Sequence, residues 1–282
     1  MNKVGVVGTG TMATGIAQAC AQTGLDVIVR GRSQASVDAC IGGVEKALAR
    51  LVAKEKVTQA VADAAMGHIS GTLAIEDLKA CDIALESVAE ELEIKQPVLE
   101  KLDQVLDGET IIATNTSSLS ITKLASLTNR PAHFIGMHFF NPVPMMKLVE
   151  VVSGMRTSDS TVNSVRQLAE KLGKVPIEVK DAPGFVVNRV LFPMINEAAF
   201  AFETGVSTAE GIDECMKMGC NHPMGPLALA DLVGLDVVHA ILTSLYQEYG
   251  NPRYAPCLEI VKRVEAGWLG RKSGQGFYDY GK

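Results

Sequence analysis

The sequence predicts an α/β fold in which a doubly wound sheet is followed by an all-helical C-terminal domain. Short β-rich runs alternate with helix-like stretches over the first two thirds of the 282 residues. Several of these runs are almost continuously apolar, as expected of parallel strands that helices cover on both faces. After the sequence "DAPG" at 181–184, helical patterns follow as far as the run "GFYDY". We therefore expect two domains, residues 1–183 and residues 184–282.

Local signals predict the individual elements. Seven runs bounded by Gly, Pro, Asn, Asp or Ser are typical of strands: "KVGVVG", "DVIVR", "DIALES", "TIIATNT", "FIGMHFF", "KLVEVV" and "PIEVK". In the second domain, the pattern predicts helices over 184–204, 207–219, 225–249 and 255–266. The closing "GFYDY" is the one run there that resembles a strand.

Composition and charge argue against several classes of protein. The net charge of −6 argues against a nucleic-acid surface. No run of 18 apolar residues is present and the N-terminus does not resemble a signal peptide, so we expect no membrane contact and a cytoplasmic location. Six cysteines lie mostly within apolar runs, which favours reduced thiols. Cys215, Cys220 and His222 match no common zinc spacing, so we expect no metal site.

The glycine-rich stretch "VGVVGTGTMATG" predicts a dinucleotide site and a Rossmann-type sheet. Gly8 permits a tight turn, Gly10 lets a pyrophosphate approach the backbone, and Ala13 occupies the third position of the fingerprint. Thr11 and Met12 then open a helix whose N-terminal amides face the phosphates. The same glycines could serve only a strand-to-helix turn, but their place between an apolar run and a helical segment favours the nucleotide.

The stretch "VIVRGRS" at 27–33 stands where a NAD site usually has an acidic residue. Gly31 removes the carboxylate that would bind the ribose hydroxyls and repel a 2′-phosphate. Arg32 offers a planar charged group suited to a phosphate, and Ser33 adds a hydroxyl near a helix start. These residues predict NADP(H) as the preferred cofactor. NAD(H) is the alternative, if the stretch is a charged loop tip that merely tolerates glycine.

Four segments place polar side chains of catalytic types at strand ends or at a helix start. These side chains are Ser117, His138, Glu150 and Asn188. Each has a structural alternative, as a helix cap, a hydrogen-bonded core residue, a solvent-facing strand residue or a solvated amide. Together, downstream of a nucleotide loop, they predict hydride transfer with a histidine that moves the proton on the same oxygen. A carboxylate would hold the imidazole, while hydroxyl and amide donors bind the carbonyl oxygen.

Six motifs carry a family resemblance over essentially the whole chain. They are "GTGTMATGIAQA", "TNTSSLSIT", "IGMHFFNPVPMMKLVEVV", "DAPGFVVNRVLFPMINEA", "NHPMGPLALADLVGLD" and "GWLGRKSGQGFYDY". Through them the chain resembles the short-chain L-3-hydroxyacyl-CoA dehydrogenases, and among these the bacterial 3-hydroxybutyryl-CoA dehydrogenases. The resemblance implies NAD(P)-linked interconversion of acetoacetyl-CoA and (3S)-3-hydroxybutyryl-CoA, a reaction of fatty acid and butyrate metabolism. It also implies a homodimer joined through the helical domain.

The resemblance further implies roles for individual residues. The catalytic residues that it implies are His138 as the acid/base, Glu150 as its partner, and Ser117 and Asn188 near the substrate oxygen. The cofactor contacts that it adds are Glu90, near the nicotinamide, with Lys95 and Asn115. The chain departs from the family pattern at Ala13 and at Gly31, and the second departure bears on the choice of cofactor.

A basic cluster lies around the end of a predicted helix in this acidic protein. It consists of Arg50, Lys54 and Lys56, and it predicts a clamp on the 3′-phosphate end of CoA. The alternative is a solvated helix end whose cations complement the helix dipole.

Two other functions fit parts of the sequence. One is a dehydrogenase of a small free hydroxy acid, and the other is a non-catalytic protein that binds a dinucleotide. The complete set of Ser, His, Glu and Asn disfavours the second, because a pure binder needs no proton relay.

Overall fold

The computed structural model describes residues 1–281, which form two compact units, one from Met1 to Ala182 and one that begins at Pro183. Within the described residues of the first unit, eight strands form one sheet: β1 (Lys3–Val7), β2 (Asp26–Arg30), β3 (Ile69–Thr72), β4 (Ile83–Glu86), β5 (Ile111–Thr114), β6 (Phe134–Phe139), β7 (Leu148–Ser153) and β8 (Val175–Lys180). The strand order is β3-β2-β1-β4-β5-β6-β7-β8, and the pairs are parallel except β6 with β7. The predicted doubly wound sheet is confirmed.

Six α-helices accompany this sheet in the described chain: α1 (Thr11–Gln22), α2 (Gln34–Ala53), α3 (Gln59–Gly67), α4 (Leu92–Val105), α5 (Ile121–Ala125) and α6 (Asp159–Lys171). The apolar residues of β1, β2 and β7 share one core with α1, α2 and α6. In α1, Ala13 is fully buried, and a Cβ added at Gly15 would lie 2.8 Å from Val143 Cβ. Small side chains in α1 therefore allow this helix to pack closely against the loop between β6 and β7.

The seven predicted strands are all present, but two features of the sheet differ from the sequence pattern. The first is the additional strand β3, whose sequence "ISGT" is short, contains glycine and is exposed or half-buried. These four residues therefore do not show the pattern of a strand. The second feature is the antiparallel direction of β7. Only the loop 140–147 connects β6 to β7, and a connection without a crossover helix returns the chain in the opposite direction.

The second unit is helical, as predicted. Its helices within the described residues are α7 (Val187–Glu203), α8 (Ala209–Cys220), α9 (Pro226–Val233), α10 (Leu235–Tyr249) and α11 (Leu258–Glu265). The helix predicted over 225–249 is broken at Gly234, whose φ of 104° lies in the region that favours glycine. No single helix in residues 1–281 could cross a membrane by its length and composition, although α9 and α10 together meet that test as a pair bent by 99°.

The predicted strand "GFYDY" is instead an irregular segment held by isolated bridges from Gln275 to Gly270 and Asp279. A buried carboxylate, Asp231, anchors this segment. Asp231 accepts hydrogen bonds from the Phe277 amide (2.9 Å), the Tyr278 amide (2.9 Å) and the Tyr280 hydroxyl (3.1 Å). Burial raises the pKa of Asp231 despite these donors.

Candidate active site

The turn between β1 and α1 has the geometry of an anion site. Gly8 has a φ of 133°, and a Cβ there would lie 2.2 Å from the Ser87 carbonyl oxygen, so only glycine fits. Gly10 caps α1 and faces open space, since a Cβ added to it would meet no described atom within 4 Å beyond its own chain neighbours. Thr11 and Met12 follow in a first turn that has neither an acidic residue nor a side-chain cap. The N-terminal amides of α1 are therefore available to a pyrophosphate, which fits this cradle.

The turn between β2 and α2 is crowded where Gly31 stands. A Cβ there would lie 2.6 Å from Val37 Cγ2, 2.8 Å from Ser36 Oγ and 2.9 Å from Thr9 Cγ2. The space that an acidic side chain would enter is thus already filled by neighbouring side chains. A substitution at this position therefore requires its neighbours to move.

The two residues after Gly31 differ in how far they are engaged. Ser33 caps α2, because its hydroxyl oxygen accepts a hydrogen bond from the Ser36 amide, and the first turn of α2 has no acidic residue. Arg32 is exposed and makes no hydrogen bond or ion pair within residues 1–281. A cation and a helix N-terminus without acidic neighbours are together suited to an anionic group.

Arg30, the last residue of β2, is half-buried. Its Nε is buried without a hydrogen-bond partner in the described chain. An uncompensated guanidinium nitrogen is costly, so a ligand that brings an acceptor would stabilise it. The pKa of the Glu76 carboxyl is lowered mainly by a backbone hydrogen bond and by Lys101. The positive charge of Arg30 makes a smaller contribution in the same direction.

His138 and Glu150 form the buried pair that the sequence predicts as acid/base and partner. They face each other across the antiparallel pair β6–β7, and His138 Nδ1 lies 2.7 Å from Glu150 Oε2. The side chains are 7% and 1% exposed. An ionised carboxylate can only accept a hydrogen bond, so an ionised Glu150 selects the tautomer in which Nδ1 donates to it. The tilted ring of Phe140, 4.5 Å away between centroids, also contacts the imidazole.

A second buried pair, Glu86 with Lys95, lies at the end of β4. Lys95 Nζ lies 2.8 Å and 3.0 Å from the two Glu86 oxygens, and both side chains are at most 1% exposed. Glu86 is not among the site residues that the sequence predicts. A sequence signal does exist for it: a glutamate ends an apolar strand, and nine residues later a lysine lies in the first turn of the next helix.

Glu90 connects this pair to the turn that carries Ser117. Its Oε2 lies 3.3 Å from Lys95 Nζ, and its Oε1 accepts from the Ser117 amide (2.7 Å) and more weakly from the Ser117 hydroxyl (3.3 Å). Burial would raise the pKa of Glu90, but Lys95 and the donors of Thr116, Ser117 and Ser118 outweigh it, so the pKa lies below its ordinary value. The structure thus brings Glu90, Lys95 and Ser117 together.

Asn115 tethers the strand that carries His138. Its side-chain Oδ1 accepts a hydrogen bond from the Phe139 backbone amide at 2.8 Å. Its backbone amide donates a hydrogen bond to the Glu86 carbonyl oxygen at 2.8 Å. Because Asn115 follows β5, this residue links the ends of β4, β5 and β6. A cofactor contact by Asn115 stays a prediction.

The remaining predicted site residues lie apart from these clusters in the chain. Asn188 is buried near the start of α7 in the second unit. Arg50, Lys54 and Lys56 lie exposed at the end of α2 and in the turn after it, and their side chains make no hydrogen bond or ion pair in the described residues. No group of three or more potential metal ligands occurs within residues 1–281.

Both halves of the chain match known family models. Residues 3–182 match the model described as 3-hydroxyacyl-CoA dehydrogenase, NAD binding domain. Residues 184–280 match the model described as 3-hydroxyacyl-CoA dehydrogenase, C-terminal domain. The first model indicates a nicotinamide dinucleotide cofactor, in agreement with the glycine turn.

Full-length relatives give the same result. The chain is 51% identical over 280 residues to the 3-hydroxybutyryl-CoA dehydrogenase of Clostridioides difficile, covering 99% of this chain and 100% of that protein. It is 40% identical to the mitochondrial hydroxyacyl-coenzyme A dehydrogenase of Sus scrofa, covering 98% and 90%. The crystal structure of (S)-3-hydroxybutyryl-CoA dehydrogenase from Ralstonia eutropha superposes with a TM-score of 0.98 at 50% identity, over 100% of both chains. The chain therefore belongs to the 3-hydroxyacyl-CoA dehydrogenase family.

Proposed function

We propose that the protein interconverts acetoacetyl-CoA and (3S)-3-hydroxybutyryl-CoA with a nicotinamide cofactor, preferably NADP(H). The observation that carries the proposal is the buried contact of 2.7 Å between His138 Nδ1 and Glu150 Oε2. It lies in the sheet whose first turn fits a pyrophosphate. A relay of this kind serves a reaction that moves a proton and a hydride together, which disfavours a purely binding protein.

His138 would exchange the proton on the substrate oxygen through Nε2. Glu150 would keep the imidazole in the required tautomer and stabilise its protonated form. Ser117 would donate to the same oxygen as charge develops there, from a turn that Glu90 holds through backbone and hydroxyl hydrogen bonds. Asn188 is the further donor proposed for that oxygen. The bound cofactor would supply or accept the hydride.

The cofactor preference rests on the turn after β2. Arg32 supplies an exposed cation for a 2′-phosphate, Ser33 places a helix start beside it, and Gly31 brings no carboxylate to repel the phosphate. The unpartnered Nε of Arg30 adds a second guanidinium at the same strand end. A preference of about 10-fold to 100-fold for NADPH over NADH in kcat/KM corresponds to one charge-assisted contact.

Binding of the acyl-CoA would use the basic cluster at the end of α2. Arg50, Lys54 and Lys56 are exposed and without ion-pair partners in the described chain, so they can meet the 3′-phosphate of CoA without first breaking an ion pair.

The assembly that we propose is a homodimer formed through the second unit. Three apolar side chains there are strongly exposed: Val190 (65%), Val206 (75%) and Met218 (81%). A contact between two copies would remove such surface from water. Light scattering at micromolar concentration should give twice the mass of one chain, and a monomer would contradict the dimer.

The cytoplasm is the compartment that we propose. All six cysteines are free thiols, which a reducing environment maintains.

The test of the activity is the rate at which NADPH and NADH are oxidised under three conditions: with acetoacetyl-CoA, with free acetoacetate, and without either compound. Fast oxidation with acetoacetyl-CoA alone is the expected result. Equal rates with acetoacetate would instead indicate a dehydrogenase of small free hydroxy acids. Tight NADPH binding without oxidation by either compound would indicate a non-catalytic binder.

A further inference from the structure

A closed ring of hydrogen bonds, completed by one ion pair, lies at the ends of β4 and β5. Lys95 Nζ joins Glu86 to Glu90, and Glu90 Oε1 accepts from the Thr116 hydroxyl at 2.6 Å. The Thr116 amide donates to the Thr114 hydroxyl at 3.3 Å, and that hydroxyl donates to Glu86 Oε2 at 2.7 Å. The ring thus returns to Glu86, the residue that the proposed chemistry does not use.

Glu86 holds Lys95 in one place. Lys95 donates hydrogen bonds to the two Glu86 oxygens and forms an ion pair with Glu90 Oε2 at 3.3 Å. Glu86 also accepts from the Val88 amide at 2.7 Å. Both members are fully buried, and a buried ion pair is tolerated only when its geometry satisfies both charges. Glu86 is therefore committed to the ring and has no surface for a substrate.

Lys95 in turn orients the Glu90 carboxylate so that one of its oxygens faces the Ser117 turn. With Oε2 drawn to Lys95, Oε1 is left to accept from the amides of Ser117 (2.7 Å) and Ser118 (2.9 Å). About a third of the Glu90 side chain is exposed, whereas Lys95 is buried, so Glu90 is the solvent-facing member of this ion pair. The orientation of Ser117 therefore depends on a chain of contacts that starts at Glu86.

The ring lies beside the proposed cofactor path. In a doubly wound sheet the adenosine lies over the end of β2 and the pyrophosphate over the turn after β1. The other end of the dinucleotide must then extend towards β4 and β5, where the ring is. Gly8 touches the segment just after Glu86, since a Cβ on it would meet the Ser87 carbonyl oxygen.

We propose that Glu86 is a positioning residue for hydride transfer: by anchoring Lys95 it sets Glu90, and through Glu90 it orients the Ser117 turn and the nicotinamide end of the cofactor site. This inference rests on the proposed function. It predicts that the effect of Glu86 on turnover passes through Glu90.

The kinetic test is a double-mutant cycle on kcat. Glu86→Gln keeps the shape of the side chain and removes its charge, and it should lower kcat about 10-fold with the KM for acetoacetyl-CoA changed by less than about threefold. Glu90→Gln should lower kcat at least as much, and the double variant should be no slower than Glu90→Gln alone. Glu93→Gln, an exposed site on α4, is the matched control and should leave kcat within about twofold. Effects that multiply in the double variant would overturn the proposal.

A binding test separates positioning from a general loss of structure. Glu86→Gln should raise the Kd of NADPH about 3-fold to 10-fold in calorimetry, whereas the Kd of 2′-phospho-ADP-ribose, which lacks the nicotinamide, should change less than about twofold. Equal weakening of both ligands would mean that the ring only supports the fold.

This binding result does not depend on which substrate the enzyme reduces, so it also stands if the proposed activity fails. If Glu86→Gln does not fold, Thr114→Val is the second variant, since it removes two ring bonds without a change of charge. It should show the same pattern with a smaller effect, and an unchanged kcat in a folded Thr114→Val would overturn the proposal.

Discussion

The two ends of the proposed cofactor site are built in opposite ways. At the end of β2, the described chain offers no partner to the exposed Arg32 and no hydrogen-bond acceptor to the buried Nε of Arg30. At the ends of β4 to β7, His138 is paired with Glu150 and Glu86 with Lys95, and these four side chains are buried. The β2 end therefore presents hydrogen-bond donors that have no acceptor in the described chain, whereas the β4 to β7 end contains charged groups that are paired with each other.

From this difference we expect the two ends to have separate roles, one in cofactor selection and one in catalysis. Groups that wait for a partner gain most when a ligand arrives, so the β2 end should decide which cofactor binds. Groups that are already fixed lose little order during the reaction, so the β4 to β7 end should decide how fast the chemistry proceeds. Substitutions at the two ends should therefore change different kinetic parameters.

The largest expected effect is at the paired end. His138→Gln should lower kcat about 100-fold or more, because the proton relay is lost, and should leave the Kd of NADPH nearly unchanged. Stopped-flow or steady-state oxidation of NADPH measures the first quantity and fluorescence titration the second. His133→Gln, in the turn before β6, is the matched control. Near-normal turnover of His138→Gln would remove this residue from the chemistry.

A smaller effect is expected at the open end. Arg32→Ile should lower the ratio of kcat/KM for NADPH to that for NADH by about 10-fold to 100-fold, because a charge-assisted phosphate contact is lost. Arg156→Ile, at an exposed arginine after β7, is the control for general charge effects. A wild-type enzyme that already prefers NADH would refute the proposed role of the turn.

The basic cluster should produce a still smaller change, confined to CoA substrates. Replacing Arg50 and Lys54 together with Ala should raise the KM for acetoacetyl-CoA about 5-fold to 30-fold, since each exposed charge contact contributes roughly 0.5–1 kcal/mol. A truncated acetoacetyl thioester without the nucleotide should show no such change. Lys46→Ala on the same helix is the control. Equal effects on both substrates would exclude a clamp.

The smallest effect concerns stability at acid pH. The pKa of Glu90 lies below its ordinary value of 4.5 in the folded protein. Its stabilisation is therefore complete above the unfolded-state pKa and is lost as the pH falls through the folded-state pKa. Urea unfolding between pH 7 and pH 3.5 should show a shallower loss of stability for Glu90→Gln than for the wild type or Glu93→Gln. A curve parallel to that of the wild type would contradict this account.

Sequence patterns were sufficient where one residue type determines a local geometry. The apolar run before Gly8 predicts β1, because a buried parallel strand and its tight turn leave little choice of residue. The strand β3 was missed because four mostly polar or small residues are paired by their neighbours, not by their own preference. The direction of β7 was not predictable either, since a strand buried on both faces has the same composition in either direction.

The site shows the same limit. The missing carboxylate at Gly31 is visible in the sequence, whereas the crowding of its Cβ position by Val37 becomes visible only in three dimensions. The Glu86–Lys95 contact joins a strand end to a helix across a turn, so the nine-residue spacing can point to the pair, but only the structure shows that the two side chains meet. Contacts that depend on packing between elements remain outside what a linear pattern can indicate.

The anchoring of the closing segment on Asp231 has a consequence for synthesis on the ribosome. The donors that satisfy this carboxylate belong to Phe277, Tyr278 and Tyr280, more than 40 positions later in the chain. A nascent chain that has emerged only as far as α11 would have to keep Asp231 hydrated or bury it without partners. The helical unit can therefore close around Asp231 only after residues 277–280 have left the ribosome, while the sheet domain can fold earlier. A nascent chain that stalls before these residues emerge would hold a second unit that is still incomplete.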